Sequence, residues 1–387
     1  MIDFTLTDEQ QMLIQMTHDF VEKEMLPHEE TLERTDTLPP KLAASLKKRA
    51  IELGLHACNL PEEVGGGGLD AVSVMLIEKE LGRTSLALAE CAHRPLNILA
   101  SCEGEQVKKF LEPTIRGEKR DCIAMTEPGA GSDLRGMKCK AELDKDEWII
   151  NGEKHFISQA SISDYCVLFA ATGEDETDKG LKKRISAFLV DFNDHGVEVA
   201  SGYKNVSHRG YTNNILRFDN ARIPRWRIMG PEGDGFRIVN QWLGPTRLTV
   251  AATCVARAER AFEIALNYSA TREQFGQKIG KFQGISFELA DMATEIKMAN
   301  LMLLETAWKI DQGSVTPEDC AMTKLFCSEM LSRVADQSIQ TVGGMGLMED
   351  LPLERIWRDA RLERIWDGTS EIQRHIISRG LLRPLEK

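Results

Sequence analysis

No apolar run in the 387 residues approaches the ~20 that a helix needs to cross a bilayer. Positive charge is in short supply, with 48 Lys and Arg against 60 Asp and Glu and a net charge of -12. Phosphate backbones and anionic lipid surfaces are met by clustered Lys and Arg, so neither nucleic acid nor membrane is an expected partner. The nine cysteines include no C-x-x-C pair, which argues against a disulfide framework and for reduced thiols. Cys166 and Cys254 sit among apolar residues and are predicted to be core. The eight histidines show no H-x-x-x-H or His/Cys spacing, so no metal is expected. The opening residues Met1 to Phe4 lack the cationic stretch and apolar core of a secretory signal, which predicts a cytoplasmic setting.

What is present is an ordinary globular composition, 42% hydrophobic and 28% charged, long enough for two or three packed units. The chain reads as helix, then strand, then helix, with divisions at 1–120, 121–234 and 235–387. Thr7 with Gln10 three residues on forms a capping-box signature, followed by Met12, Leu13, Met16, Phe20 and Val21 at helical spacing. Helical patterning runs to about residue 118, and Gly65 to Gly68 reads as a turn inside it, since no Lys-Ser/Thr follows. In the second segment, Trp148 to Ser158 around Asn151-Gly152 predicts a hairpin with a type I′ turn. Tyr165 to Ala170, Ile185 to Phe192 and Ile215 to Phe218 read as further strands, and the charged Gly173 to Lys183 as a solvated loop. Val250 to Tyr268, Phe287 to Trp308 and Ala321 to Val342 carry helical stripes that need partners, which predicts a bundle. The expected fold is α+β and mainly α: an N-terminal helical domain, a middle antiparallel β-domain and a C-terminal four-helix bundle.

Three segments are hard to explain as scaffold. Met125-Thr126-Glu127-Pro128-Gly129-Ala130-Gly131-Ser132-Asp133 offers hydroxyls on a backbone that can approach a ligand closely. Arg272-Glu273-Gln274-Phe275-Gly276 supplies a forked guanidinium suited to phosphate or ribose oxygens. Ile365-Trp366-Asp367-Gly368-Thr369-Ser370-Glu371-Ile372-Gln373-Arg374 reads as an acid in a loop that opens a helix. Its plain alternative is a helix cap made by Asp367.

In this order, these segments resemble the acyl-CoA dehydrogenase family. So do Leu6 to Gln10, Pro61 to Gly66, the Asn151-Gly152 region and Gln340 to Gly346. The likeness covers nearly the whole chain. It implies an FAD-dependent enzyme that removes a proton next to an acyl-CoA thioester and a hydride from the following carbon, giving a 2-enoyl-CoA. It implies that Met125 and Thr126 contact the flavin pyrimidine edge. Ser132 lies near the thioester or CoA, Phe156 stands where tryptophan is common, and Ser158 stands where threonine meets flavin N5. By the same resemblance, Arg272, Phe275, Gln340 and Gly344 bind the ADP half of FAD across a subunit boundary, which implies a homo-oligomer, a homotetramer. Thr369 and Glu371 close over the cofactor, and Arg247 and Gly368 lie near the substrate. An electron-transferring flavoprotein is the implied acceptor.

Asp367 matches the position of the family's base, but that base is usually glutamate. A carboxylate one methylene shorter matters, since ~1 Å of misplacement costs on the order of a hundredfold in rate. The resemblance offers a second position for a base just before Arg247, and Thr246 stands there, with no acid available. Glu90, in the segment that lines the acyl pocket of relatives, is the weaker candidate. Nitroalkane oxidases resemble the same family and use aspartate, and Arg374 seven residues on is compatible with that reading. A flavin- or CoA-binding homologue without catalysis is the remaining alternative. Cys91, His93 and Arg94 make the acyl-pocket segment unusually polar, so they either meet a polar acyl group or face solvent.

Overall fold

The structure, a computed structural model, describes residues 5–177 and 180–386. The first part is helical: α1 (Asp8–Phe20), α2 (Glu29–Thr35), α3 (Pro40–Glu52), α4 (Ala71–Leu81), α5 (Leu86–Ala89) and α6 (Glu112–Ile115). The predicted capping box is present, with Gln10 N–H on the Thr7 hydroxyl and the Gln10 side chain returning to Thr7 N–H. The reading of Met1 to Phe4 falls outside the described residues.

Eight strands follow: β1 (Asp121–Ala124), β2 (Lys140–Asp144), β3 (Glu147–Ser158), β4 (Tyr165–Thr177), β5 (Gly180–Asp191), β6 (Val197–Ser201), β7 (Asn213–Pro224) and β8 (Ile228–Met229). Their order is β6-β7-β3-β2-β4-β5-β8, with β1 beside β4. The sheet is mainly antiparallel, although β1 and β2 each meet β4 in parallel. Cys166 and Cys254 are fully buried, as predicted, and all nine thiols are free.

Two expectations fail here. Asn151-Gly152 is not a turn: β3 runs straight through it, and the β2–β3 turn falls at Lys145-Asp146, with Lys145 at φ 60°. Gly152 is needed for proximity, because a Cβ there would stand 2.7 Å from the Cys139 Cα. The charged Gly173 to Lys183 stretch is not a loop either, since β4 and β5 extend as a hairpin with Thr177 opposite Gly180. Asp178 and Lys179 lie outside the described residues. Cross-strand pairs such as Glu174 with Lys183 and Asp175 with Lys182 let a polar sequence stay extended.

The last part is helical: α7 (Gly235–Thr271), the small hairpin β9 (Glu273–Gln274) and β10 (Gln277–Lys278), α8 (Gln283–Asp311), α9 (Pro317–Val342), α10 (Leu353–Glu363) and α11 (Ser370–Leu382). The apolar stripes of α7, α8, α9 and α10 meet in one core with α4, which joins the bundle to the N-terminal helices. Phe275 and Gly276 have φ of 52° and 80°, so the tight turn with two left-handed residues is here.

Candidate active site

Two strand ends are drawn together first. Beyond β1, the Thr126 carbonyl accepts from the His155 N–H of β3 at 2.7 Å. Beneath that contact Lys154, wholly buried, donates to the Met125 carbonyl (3.0 Å) and to Glu127 Oε1 (2.7 Å). Glu127 also accepts from the Lys138 and Cys139 amides at 2.5 and 3.0 Å. Burial works against an ionised Glu127, but these amides and Lys154 hold its carboxyl below the ordinary range. The β3–β7 register shifts between Lys154 and Ile157, and at this bulge Phe156 takes φ 57° and turns outward, 59% exposed. Met125, Thr126, Phe156 and Ser158 therefore share one edge of the sheet, while Ser132 sits exposed on the neighbouring turn.

Tyr211, in the connection between β6 and β7, links that edge to the C-terminal helices. Burial pushes its phenol up, and Glu90 and Asp367 push it further, while Ser158 and Arg120 oppose them.

Asp367 lies between α10 and α11, with φ 51°, followed by Gly368 at 94°. It does not cap α11. That is done by Thr369, whose hydroxyl accepts from Ile372 N–H at 3.2 Å. The two turn carbonyls are tied down instead. Gln373 Nε2 donates to Asp367 O (3.2 Å) and Gly368 O (2.8 Å), Lys324 Nζ to Gly368 O (3.0 Å) and Arg247 Nε to Asp367 O (3.5 Å). Among the described residues, no group donates to the Asp367 carboxylate, and its own N–H has no acceptor. Burial raises its carboxyl to about 6, Glu363 adds to the rise, and Lys324 and Arg247 work against it.

Sequence reasoning missed Lys154, Glu127, Tyr211, Lys324 and Gln373. Glu127 and Gln373 stand inside segments singled out above without a role being given to them, and Lys154 left a signal as a lone cation inside a strand pattern. Glu90 is ion-paired to Arg120 at 2.9 Å. The polar acyl-pocket segment also resolves into internal pairs: Arg94, its side chain 9% exposed, lies on Glu78 at 2.6 Å, and His93 lies on Asp121 at 2.6 Å, with Glu78, His93 and Asp121 buried. Cys91 is buried too, so none of the three faces solvent. Arg374 lies against Glu329 at 3.7 Å, and among the described residues no hydrogen bond or ion pair joins it to Asp367.

The remaining expected residues are elsewhere. Arg272 caps the far end of α7, Phe275 is 94% exposed at its hairpin tip, and Gln340 and Gly344 are exposed at the end of α9. Among the described residues, the Arg272 guanidinium makes no hydrogen bond or ion pair, and no bond joins this group to Met125, Thr126 or Ser158. No cluster of three His, Cys, Asp or Glu among the described residues is placed to hold a metal ion. Among the same residues no helix is long and apolar enough to cross a membrane.

Three family models match in sequence: the acyl-CoA dehydrogenase N-terminal domain over residues 7–118, the middle domain over 122–221 and the C-terminal domain over 233–382. The chain belongs to the acyl-CoA dehydrogenase family. It is 38% identical to a probable acyl-CoA dehydrogenase, YngJ, of Bacillus subtilis (strain 168), over 99% of this chain and 100% of the relative. Its fold is similar to that of butyryl-CoA dehydrogenase from Megasphaera elsdenii, with TM-score 0.90 and 31% identity over 99% of this chain and 100% of that one. It is similar also to PigA in its FAD complex, with TM-score 0.90 and 30% identity over 98% and 99%. The enzyme is thus an oxidoreductase acting on the CH–CH bond of acyl-CoA thioesters, with FAD as cofactor. The donor set fits FAD: a sheet edge with backbone and hydroxyl groups at Met125, Thr126 and Ser158, and an unpaired arginine with an exposed aromatic at the far end of α7.

Proposed function

We propose that Asp367 is the base that takes the proton next to the thioester carbonyl of a bound acyl-CoA. One observation carries this reading: an unbonded carboxylate, raised to about 6, stands on a turn whose carbonyls are fixed by Gln373, Lys324 and Arg247. A base near neutral combines a large ionised fraction with useful basicity, and burial supplies the shift. The left-handed turn points the carbonyls of Asp367 and Gly368 into the protein and leaves the Asp367 N–H free. That N–H is a suitable donor to the thioester oxygen as negative charge builds there. FAD, when bound, would supply the hydride acceptor for the next carbon. Glu90 is the poorer base because its carboxylate is held by Arg120.

Met125, Thr126, Phe156 and Ser158 would receive the flavin ring, Thr369 and Glu371 would close over it, and Ser132, Arg247 and Gly368 would face the thioester and CoA. Arg272, Phe275, Gln340 and Gly344 would serve the FAD of a second copy. Helix rise supports that division: at about 1.5 Å per residue, α7 carries Arg272 roughly 35 Å from Arg247. A homotetramer in the cytoplasm, passing electrons to an electron-transferring flavoprotein, completes the reading.

The test is anaerobic mixing with a panel of acyl-CoA thioesters while the flavin band is watched. Asp367→Asn should retain FAD and lose bleaching by on the order of 10⁴-fold. Bleaching at the wild-type rate would assign the base elsewhere, and bleaching by nitroethane alone would favour the oxidase reading.

A further inference from the structure

The residue before the proposed base is gripped from two sides by charged groups that have no part in the proton transfer. Trp366 Nε1 donates to Glu363 Oε2 at 2.6 Å. The other Glu363 oxygen accepts from Arg257 Nη1 of α7 at 2.6 Å. Over the indole face lies the imidazole of His208, stacked at 5.2 Å with 17° between the planes. His208 arrives from the β6–β7 connection of the middle domain, three residues before Tyr211, and takes φ 50° to do so. Its N–H donates to Asp359 Oδ1 at 2.7 Å, and its ring nitrogens stand 3.4 Å from Asp359 and 3.3 Å from Glu363. The His208 and Glu363 side chains are wholly buried, and Arg257 nearly so.

Such a cluster is an expensive way to fill space. Apolar side chains of like volume do as well or better for stability, so a buried charge network is weak evidence for stability. What charged and hydrogen-bonded groups supply is direction. Glu363 fixes the edge of the indole and His208 fixes its plane, and Asp367 is the next residue in the chain. Neither restraint follows from apolar packing alone.

We infer that Glu363, His208 and Arg257 form a positioning clamp on Trp366 that sets where the Asp367 turn stands, so that its short carboxylate reaches the substrate. This rests on Asp367 being the base. The clamp also ties the middle domain to the C-terminal helices directly behind the site, so the sheet edge and the acid are held by one network. Burial works against a charged His208, but Asp359 and Glu363 raise it, which balances two cations with two carboxylates. Asp367 itself is faced by Glu363 from α10, Lys324 from α9, Arg247 from α7 and Tyr211 from the β6–β7 connection. Glu363 is the only anion in that set, and its charge helps raise Asp367.

Glu363→Gln and Trp366→Phe test the clamp in the FAD-loaded oligomer. Trp366→Phe keeps an aromatic ring for the stack and removes the N–H together with part of the indole, so it still reads the clamp if Glu363→Gln fails to fold. Each should slow flavin bleaching by about ten- to a hundredfold, with acyl-CoA affinity from spectral titration changed less than threefold. In Glu363→Gln the pH midpoint of bleaching should also fall, because the anion that raises Asp367 is gone. Lengthening the acid in the clamp variant, as Glu363→Gln with Asp367→Glu, should restore part of the rate. A rate within twofold of wild type in Trp366→Phe, or a rate loss matched by an equal loss of affinity, overturns the clamp. Asp367→Asn run beside them separates the two ideas: if it bleaches normally, the base assignment has failed, whereas an inactive Asp367→Asn with normal clamp variants sinks the clamp alone.

Discussion

The two groups of residues proposed to hold FAD are built in opposite ways. Met125, Thr126, Phe156 and Ser158 rest on a buried Lys154–Glu127 pair and on backbone bonds within one sheet. Arg272, Phe275, Gln340 and Gly344 stand in solvent, and the Arg272 guanidinium has no partner among the described residues. The first group is finished when the chain folds; the second is a set of exposed donors and surfaces, which the proposed function assigns to a second copy. On the proposed reading, a site divided this way would couple cofactor binding to assembly, because neither half would hold the whole dinucleotide.

Lys154→Met should break the comparison most severely. It leaves the Glu127 carboxylate buried without its cation, a loss of about 3–5 kcal/mol by the usual behaviour of broken buried pairs. Thermal unfolding should show a drop of several degrees with FAD released at the same transition. An unchanged melting temperature would mean that the sheet edge is held by its backbone bonds alone.

Arg272→Ala should sharpen the contrast instead. FAD affinity should fall by about ten- to a hundredfold, the range for losing a charge-assisted donor. The melting temperature of the FAD-free protein should not move, since the guanidinium holds nothing among the described residues. The two variants separate by signature: one lowers fold stability and FAD binding together, the other FAD binding only. A stability loss in FAD-free Arg272→Ala would show that this end of α7 is not the open half described here.

Legibility in the sequence follows the same division. Exposed and motif-borne residues such as Arg272, Phe275, Thr126 and Asp367 stand in runs whose spacing is their own signal. The helical stripes of α7 to α9 were equally plain, because a 3.6-residue period survives whatever packs against it. Lys324, Tyr211, Glu363 and His208 left no such trace, and Gln373 stands in the Asp367 run with nothing to mark its role. With Gln373 they lie on four separate elements, and a buried charge looks like a surface charge until its partner is known. The Asn151-Gly152 misreading has a related cause. Asn-Gly is the strongest short hairpin signal, yet Gly152 is there for its missing Cβ against Cys139, a contact across strands that local sequence does not reveal.

The smallest expected effect concerns the acid itself. A carboxyl raised in the folded state to about 6, from an ordinary 3.8, binds its proton more tightly folded than unfolded. Its contribution therefore favours the fold below about pH 4 and is lost as pH rises through about 6. Above that range the folded protein carries a partly buried, unbonded anion. Asp367→Asn should then be more stable than the parent at pH 8, by on the order of 1–2 kcal/mol after allowance for partial exposure, and the gain should vanish near pH 4. Paired melting curves at the two pH values measure it. A gain of equal size at both would trace to packing of the amide and not to charge. A loss at pH 8 would mean that Lys324 and Arg247 stabilise the anion more than burial penalises it. In that case the carboxyl would titrate below its ordinary range, and the bleaching rate would not rise with pH through 6.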